Sequence, residues 1–455
     1  MRSDIHAATF DSRSIQATRS NMFMDFCTLL ENEQIRYVVL AGHAAYPELI
    51  ESDVDFLIEE AELEKVTKIL TRSDAIRDAR LIQILEHEST ARYFVFVIQL
   101  GHRLAYLHPD AAASVRKDGR LRLRSATALA SRRMSKAGFW IPAAVIEFEY
   151  YLIKRLEKGL LERRHLAALA ELHHEDQSGC MRVLTEFFGA AFAATLARHI
   201  VDGNVEWFAD NRERLRAQIM GSRRLEGPFS RMRSAIAELS RIGRRILRPT
   251  GLVIAVLGPD GSGKTTVLEH LAAELAPAFR RVERFHLRPH FSRKGSGTVV
   301  TDPHSMAPRS RPTSVLKVAL FTFDYLWGWL GSIWPAKIRS TLVLFDRYFH
   351  DMLVDPARYR LAPTFSVPRR ALPLIPLPDL WLVLTASPAT LVARKGELTM
   401  ESAARLVRDY ESLAESLHRA VLISTEQPLD EVLARAVDAA CAHLHTRLQT
   451  RLAGG

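Results

Sequence analysis

The chain is poor in cysteine: Cys27, Cys180 and Cys441 stand far apart in 455 residues. None has the spacing of a metal-ligand motif, and three scattered thiols make no disulfide framework. Long apolar runs are equally scarce. The stretch from Val315 to Ala336 approaches the length of a membrane span, but it carries Lys317 and Asp324, and Pro335 lies at its end. A buried amphipathic helix is the expectation there. Residues 1–20 are polar and hold no apolar segment of the kind a secretory signal needs, so the expected location is cytoplasmic. Internal repeats and low-complexity tracts are absent, which excludes a repeat architecture.

What is present is the balance of a soluble globular protein, 47% hydrophobic and 25% charged. The length implies two or three domains. A net charge of +10 suits polyanionic partners (nucleotides, nucleic acid or an anionic membrane) without choosing among them.

The clearest seam runs from Gly221 to Thr250. It holds eight arginines against Glu226 and Glu238, with breakers at Gly227-Pro228 and Pro249. Met232, Ile236, Leu239, Ile242 and Leu247 roughly follow helical spacing, which predicts a basic amphipathic linker helix. Such a helix packs between domains or touches anionic lipid. Before it, Tyr37–Ala41, Val54–Ile58, Tyr93–Ile98 and Leu104–Leu107 read as strands from their β-branched and aromatic content. Ile146–Leu161, His165–His173 and Met181–Ile200 read as helices. After the seam, apolar strand runs alternate with helical segments, the pattern of a parallel α/β sheet.

The strongest motif lies there. Leu252–Leu257 is a continuous apolar run, as a central parallel strand should be. It leads into Gly258-Pro-Asp260-Gly261-Ser262-Gly263-Lys264-Thr265-Thr266 and then a helical pattern, the strand–loop–helix context that G-x-x-x-x-G-K-S/T requires. Gly261 and Gly263 let backbone N–H groups turn inward as an anion nest at a helix N-terminus. Lys264 brings a cation to the β- and γ-phosphates, and the Thr265 hydroxyl is a Mg²⁺ ligand candidate. The expected cofactors are therefore ATP and Mg²⁺.

Beyond this loop, the residues from Gly251 towards the C-terminus resemble the thymidylate kinase family. Asp260 resembles the acidic residue which that family places near the acceptor's sugar hydroxyl. Thr341–Phe345 followed by Asp346-Arg347-Tyr348 is similar to its Asp-Arg-Tyr motif, and Leu320–Asp324 and Trp334-Pro335-Ala336 are similar to its acceptor-site helix and closing Pro-Ala. The resemblance implies Asp346 as a Mg²⁺ or nucleophile-orienting carboxylate and Arg347 as a cation for the transferring phosphoryl group. Leu391–Glu397 resembles the lid. With Ser262 where some members carry Arg, Arg394 and Lys395 become the candidate catalytic cations.

The acceptor half departs from the family. Its Arg-Glu-Pro-Gly motif is replaced by Phe285-His-Leu-Arg288-Pro289, Tyr325 stands where an Arg is usual, and Phe349–Arg360 replaces the base contacts. Arg288, Asp324 and Asp260 are the acceptor candidates. The pattern looks like divergent thymidylate-kinase-like proteins of bacterial surface polysaccharide gene clusters. The acceptor implied is a nucleoside monophosphate or a related small molecule.

In the N-terminal region, Leu40-Ala-Gly42-His43 followed by Asp53-Val-Asp55 resembles the signature of polymerase-β-type nucleotidyltransferases. The spacing of two puts both carboxylates on one strand face, where they would share Mg²⁺. Asp110 is the candidate third carboxylate, and His43 replaces the family's Ser.

The expected fold is α/β: a nucleotidyltransferase-like domain over 1–120, a helical subdomain over 121–220, a linker over 221–249 and a P-loop parallel sheet flanked by helices over 250–455. The expected function is an ATP-dependent phosphotransferase. The alternative is a nucleotidyltransferase regulated by an ATP-binding P-loop domain. Partners to look for are ATP and a small acceptor, no specific nucleic acid, a peripheral membrane contact through 221–249 and a second copy in a homodimer.

Overall fold

The computed structural model describes residues 2–453, apart from 41, 52, 73–74, 87–89, 118–119, 160, 222–227, 290–308, 363–366 and 395–398. The chain divides into two compact units, Met1–Ile98 with Ala105–Arg241, and Gln99–Leu104 with Ile242–Gly455. The units part inside a helix, Pro228–Leu247, which begins at the predicted proline breaker.

The first unit opens with a helix, Arg2–Asn32, that the polar N-terminal sequence did not announce. Its Phe23 and Phe26 are fully buried and reach the sheet at Phe56, 6.2 Å and 4.9 Å away between ring centroids, and Phe23 also lies 5.1 Å from Phe139. Burying each ring stabilises the unit by about 1.5–3 kcal/mol. The strands are β1 (Tyr37–Val39), β2 (Val54–Ile58), β3 (Arg80–Leu85), β4 (Ala91–Leu100), β5 (Arg103–Leu107) and β6 (Pro109–Ala112). They form one mixed sheet in the order β1-β2-β6-β4-β3, with β5 on β4. Two small hairpins follow, β7 (Ser114–Lys117) with β8 (Arg120–Arg124) and β9 (Arg133–Met134) with β10 (Trp140–Ile141).

Helices from Ala144 onward then pack around Phe148, Leu152, Leu166, Leu184 and Leu196. The single helix expected over Met181–Ile200 is two, Gln177–Phe188 and Ala190–Val201. Gly189 separates them at φ 79°, a conformation that only glycine adopts without strain.

In the second unit, β11 (Leu252–Leu257), β12 (Arg281–His286), β13 (Thr341–Asp346), β14 (Leu380–Thr385) and β15 (Ala420–Ser424) form a wholly parallel sheet in the order β12-β13-β11-β14-β15. Every residue of β11 and β14 is buried, which is why both read as unbroken apolar runs. The chain leaves β11 towards β12 on one side and β14 towards β15 on the other. Their C-terminal ends therefore flank a topological switch point, where ligands bind in open α/β sheets.

The Val315–Ala336 stretch differs from expectation. It forms a helix Arg311–Gly328, one π turn Trp329–Ile333 and a short helix Trp334–Ile338 with Pro335 in its first turn. Only one face is buried, through Val318, Phe321 and Tyr325; Leu316, Leu320, Phe323, Trp327 and Leu330 are exposed. Among the described residues, no helix is long and apolar enough to cross a membrane.

Candidate phosphotransfer site

The glycine-rich loop joins β11 to the helix Lys264–Leu275 and depends on three left-side backbone conformations, φ 143° at Gly258, 84° at Gly261 and 82° at Gly263. Gly258 is also pressed against the neighbouring strand. A Cβ there would meet the Leu384 carbonyl oxygen at 2.4 Å and Ser262 Oγ at 2.8 Å.

Lys264 is buried and folds back over the loop, donating to the carbonyls of Gly258 (2.9 Å) and Pro259 (2.7 Å), with Asp260 Oδ1 at 3.7 Å. Burial, reinforced by the nearby Arg347 charge, pushes its amine down to about 7. Two carbonyl oxygens of the loop itself thus hold the Lys264 amine. Thr265 and Thr266 are exposed at the helix N-terminus, and Ser262 is fully buried with no hydrogen-bond partner for its hydroxyl.

Asp346 ends β13, in register with Val256 of β11 and His286 of β12. Its Oδ2 lies 3.2 Å from His286 Nδ1, while its buried Oδ1 has no hydrogen-bond partner. Burial raises the carboxyl's pKa, but His286, Lys264 and Arg347 more than offset that and hold it below the usual carboxylate range.

Arg347 takes φ 67° and hydrogen-bonds through its backbone N–H to Val256 O at 3.0 Å. That turn sends its guanidinium inward. Nη1 donates to Asp351 Oδ2 at 2.7 Å, and Nη2 pairs with Asp260 Oδ1. Arg358 pairs with the other Asp260 oxygen. Tyr359 donates to Asp351 at 2.6 Å, and Tyr410 donates to the same carboxylate. Burial raises the pKa of Asp260, but Arg347, Lys264 and Arg358 pull it far below the usual range. The result is a closed network beneath the loop, in which each buried charge has a partner.

Arg394 closes the helix Pro388–Arg394. It reaches Gly261 O (3.3 Å), Thr425 Oγ1 (3.3 Å) and Thr425 O (3.1 Å). Lys395, the other lid candidate, lies outside the described residues.

Asp260, Lys264, Asp346, Arg347 and Arg394 are thus gathered about one loop. Arg288 and Asp324 instead pair with each other at 2.6 Å. Asp53 and Asp55 belong to the other unit. There β2 and β6 run parallel with Asp55 opposite Asp110, and carboxylate oxygens of Asp53, Asp55 and Asp110 all lie within 4.8 Å of one another. Lys154 pairs with Asp55, Tyr150 donates to it at 3.2 Å, and His43 Nε2 lies 2.9 Å from Glu147.

Sequence reasoning did not assign a role to Asp351, Arg358, Tyr359, Tyr410 or His286. The four-residue spacing from Arg347 to Asp351 is a faint signal. The others are brought in by the fold alone.

No family model matches the chain. A stretch of 148 residues is 32% identical to a thymidylate kinase of Xanthomonas euvesicatoria pv. vesicatoria, and a stretch of the same length is 34% identical to that of Xanthomonas campestris pv. campestris. Each match covers 32% of this chain and 62% of the relative, so the chain spans less than two thirds of the length of the relatives it matches. A thymidylate kinase structure from Ehrlichia chaffeensis aligns over 45% of this chain and all of its own, at 18% identity and a TM-score of 0.29, too loosely to carry weight. About a third of this chain is therefore similar in sequence to thymidylate kinases.

Proposed function

We propose that the second unit is an ATP- and Mg²⁺-dependent phosphotransferase acting on a nucleoside monophosphate or a related small acceptor. Two observations carry this reading: Lys264 is held by the loop's own carbonyls, and the charge of Lys264 acts on an Asp346 carboxylate whose Oδ1 is buried and without a hydrogen-bond partner. That oxygen and the exposed Thr265 hydroxyl fit a hard cation with oxygen ligands. Mg²⁺ held there would neutralise charge on the donor's phosphates.

The chain's own residues do the rest. Backbone N–H groups from Gly261 to Thr265 orient the donor phosphates at the helix N-terminus. Lys264 exchanges its two carbonyl partners for phosphate oxygens. Arg394, already on the Gly261 carbonyl, is the cation for charge that develops on the transferring group. The Arg347–Asp260–Asp351 network works by position, since its guanidinium is fully engaged and fixes both the loop and the start of the Phe349–Arg360 segment. A place in surface polysaccharide metabolism belongs to the same proposal, from the divergence of the acceptor half.

An acceptor screen coupled to ATP consumption tests this reading, using nucleoside monophosphates, sugars and sugar phosphates with Mg²⁺. An acceptor-dependent rise supports it; ATP consumption indifferent to every acceptor overturns it.

A second reading has its own observation. The Asp55–Asp110 register and the closeness of Asp53 support a nucleotidyltransferase-like metal site in the first unit, regulated by the P-loop unit. It predicts Mg²⁺-dependent nucleotidyl transfer that disappears in Asp53→Ala and survives in Lys264→Ala.

A further inference from the structure

The second unit holds a cavity of about 1040 Å³ away from the glycine-rich loop. It opens at the other end of the parallel sheet, against Asp379 and Leu380 where β14 begins and Arg419 and Ala420 where β15 begins. The helix Leu429–Ala453 forms one wall through Ala434, Ala439 and Ala442. The six residues of β11 separate this edge of the sheet from the loop by about 20 Å. A small molecule bound here is out of reach of Lys264 and Asp346.

Among the described residues that line it are five arginines, Arg248, Arg419, Arg435, Arg447 and Arg451, against two aspartates, Asp379 and Asp438. Asp379 is already engaged: Oδ1 accepts from Lys337 Nζ at 2.8 Å and Oδ2 from the Val253 N–H at 2.8 Å. Arg447 donates to Gly251 O at 2.8 Å and to Thr250 O at 2.9 Å, and Arg451 donates to Pro249 O at 2.9 Å. Carbonyls orient these guanidiniums without cancelling their charge, and each guanidinium has five N–H groups to give. Burial pushes Arg447 down to about 10; Asp379 opposes that shift, and the Arg451 and Arg419 charges add to it.

His443 supplies a second observation. It lines the same cavity, and its buried Nε2 has no hydrogen-bond partner. Burial, and then the Arg447 charge, push the ring down to about 4, so it is neutral at pH 7. A neutral imidazole can present Nε2–H as a donor, and an oxyanion supplies the acceptor which that nitrogen lacks. Beside these polar groups, Leu380, Val421 and the helix alanines make an apolar wall. Small-ligand sites are built this way, and the volume stands at the top of the roughly 300–1,000 Å³ that such sites occupy.

We propose that this cavity is a second ligand site of the unit and that it binds a small organic phosphate. The phosphate lies on Arg419, Arg447 and Arg451 beside His443, and the apolar body lies against Leu380, Val421 and the helix alanines. The planar guanidinium forks match the geometry of phosphate oxygens. The site goes beyond the phosphotransferase reading and does not depend on it, because it shares no residue with the glycine-rich loop.

The test reads Arg419, which is exposed and open to reagent. Its modification by limiting phenylglyoxal is followed on the full chain by peptide mass spectrometry, with phenyl phosphate, inorganic phosphate or sodium chloride at matched ionic strength. A ligand that covers the guanidinium, present at about ten times its dissociation constant, slows modification about tenfold. The expected result is that slowing with phenyl phosphate, a smaller one with inorganic phosphate at the same concentration, and none with chloride. Arg198, exposed in the first unit, should keep its rate throughout. The protection should persist in Lys264→Ala, where the glycine-rich loop no longer contributes, and disappear in Ala439→Glu, which sets a carboxylate in the cavity. Phenyl phosphate no more protective than chloride overturns the proposal, as does protection that vanishes in Lys264→Ala or survives in folded Ala439→Glu. Equal protection by the two phosphates overturns the apolar half of the site.

Discussion

Arg347 and Asp260 are 87 residues apart in sequence, yet their side chains form an ion pair beneath the phosphate loop, with the arginine only 3% exposed. The same guanidinium holds Asp351, which is 0% exposed. The loop's conformation is therefore tied to the strand that follows it across the sheet.

Removing the arginine strands two acids. Arg347→Met leaves Asp351 with two tyrosine donors and no cation in these contacts, and Asp260 with Arg358 and Lys264. Breaking a buried pair from one side costs about 3–5 kcal/mol. The unfolding midpoint of the second unit in urea should fall accordingly, while that of the first unit stays in place. A midpoint unchanged in Arg347→Met would show that the network contributes nothing to stability.

Two titrations set the acid limit of the second unit. Burial pushes His350 down to about 4, against a ring contact 4.6 Å from Trp381. Its unfolded form therefore binds a proton that the native form refuses, and stability falls as pH drops from about 6.5 towards 4. His443 is shifted the same way and adds to that phase. Asp260 has a depressed pKa, so its contribution is complete above about 4 and is lost only as pH falls further towards its folded value. Stability measured against pH should show both phases. His350→Phe should flatten the upper one, and Asp260→Asn should lower stability at neutral pH and remove part of the lower one.

Gly258→Ala tests the loop's geometry. Its φ of 143° and the Leu384 carbonyl 2.4 Å from a new Cβ leave the side chain no room. The strand must move, and the loop with it. Calorimetric ATP binding should weaken at least tenfold, about 1.4 kcal/mol, whereas Gly243→Ala, on an open helix face, should leave binding unchanged. Equal binding in both variants would mean that the loop does not need this turn.

The phosphate loop was legible because its chemistry is contiguous: nine residues carry the glycines, the lysine and the hydroxyls. β11, β13 and β14 were legible because a strand buried on both faces has to be apolar throughout. The Arg347–Asp260–Asp351–Tyr410 network was not, because its members come from segments up to 150 residues apart and only the fold joins them. The order of contacts at Arg288 shows the same limit. Sequence reading placed Arg288 and Asp324 separately at an acceptor, and the structure pairs them. β6 escaped notice because Pro109-Asp-Ala-Ala lacks β-branched residues, and it is a strand only through pairing with β2 and β4.

The central claim is that Lys264 and Asp346 together form a Mg²⁺-dependent phosphoryl-transfer site. Transfer of labelled γ-phosphate from ATP to a phosphorylated small acceptor should be measured for the wild type, Lys264→Ala and Asp346→Ala with and without Mg²⁺. The account predicts Mg²⁺-dependent transfer that falls by about 10²–10³ in each variant, with both variants folded. Transfer at the wild-type rate in either folded variant would contradict it.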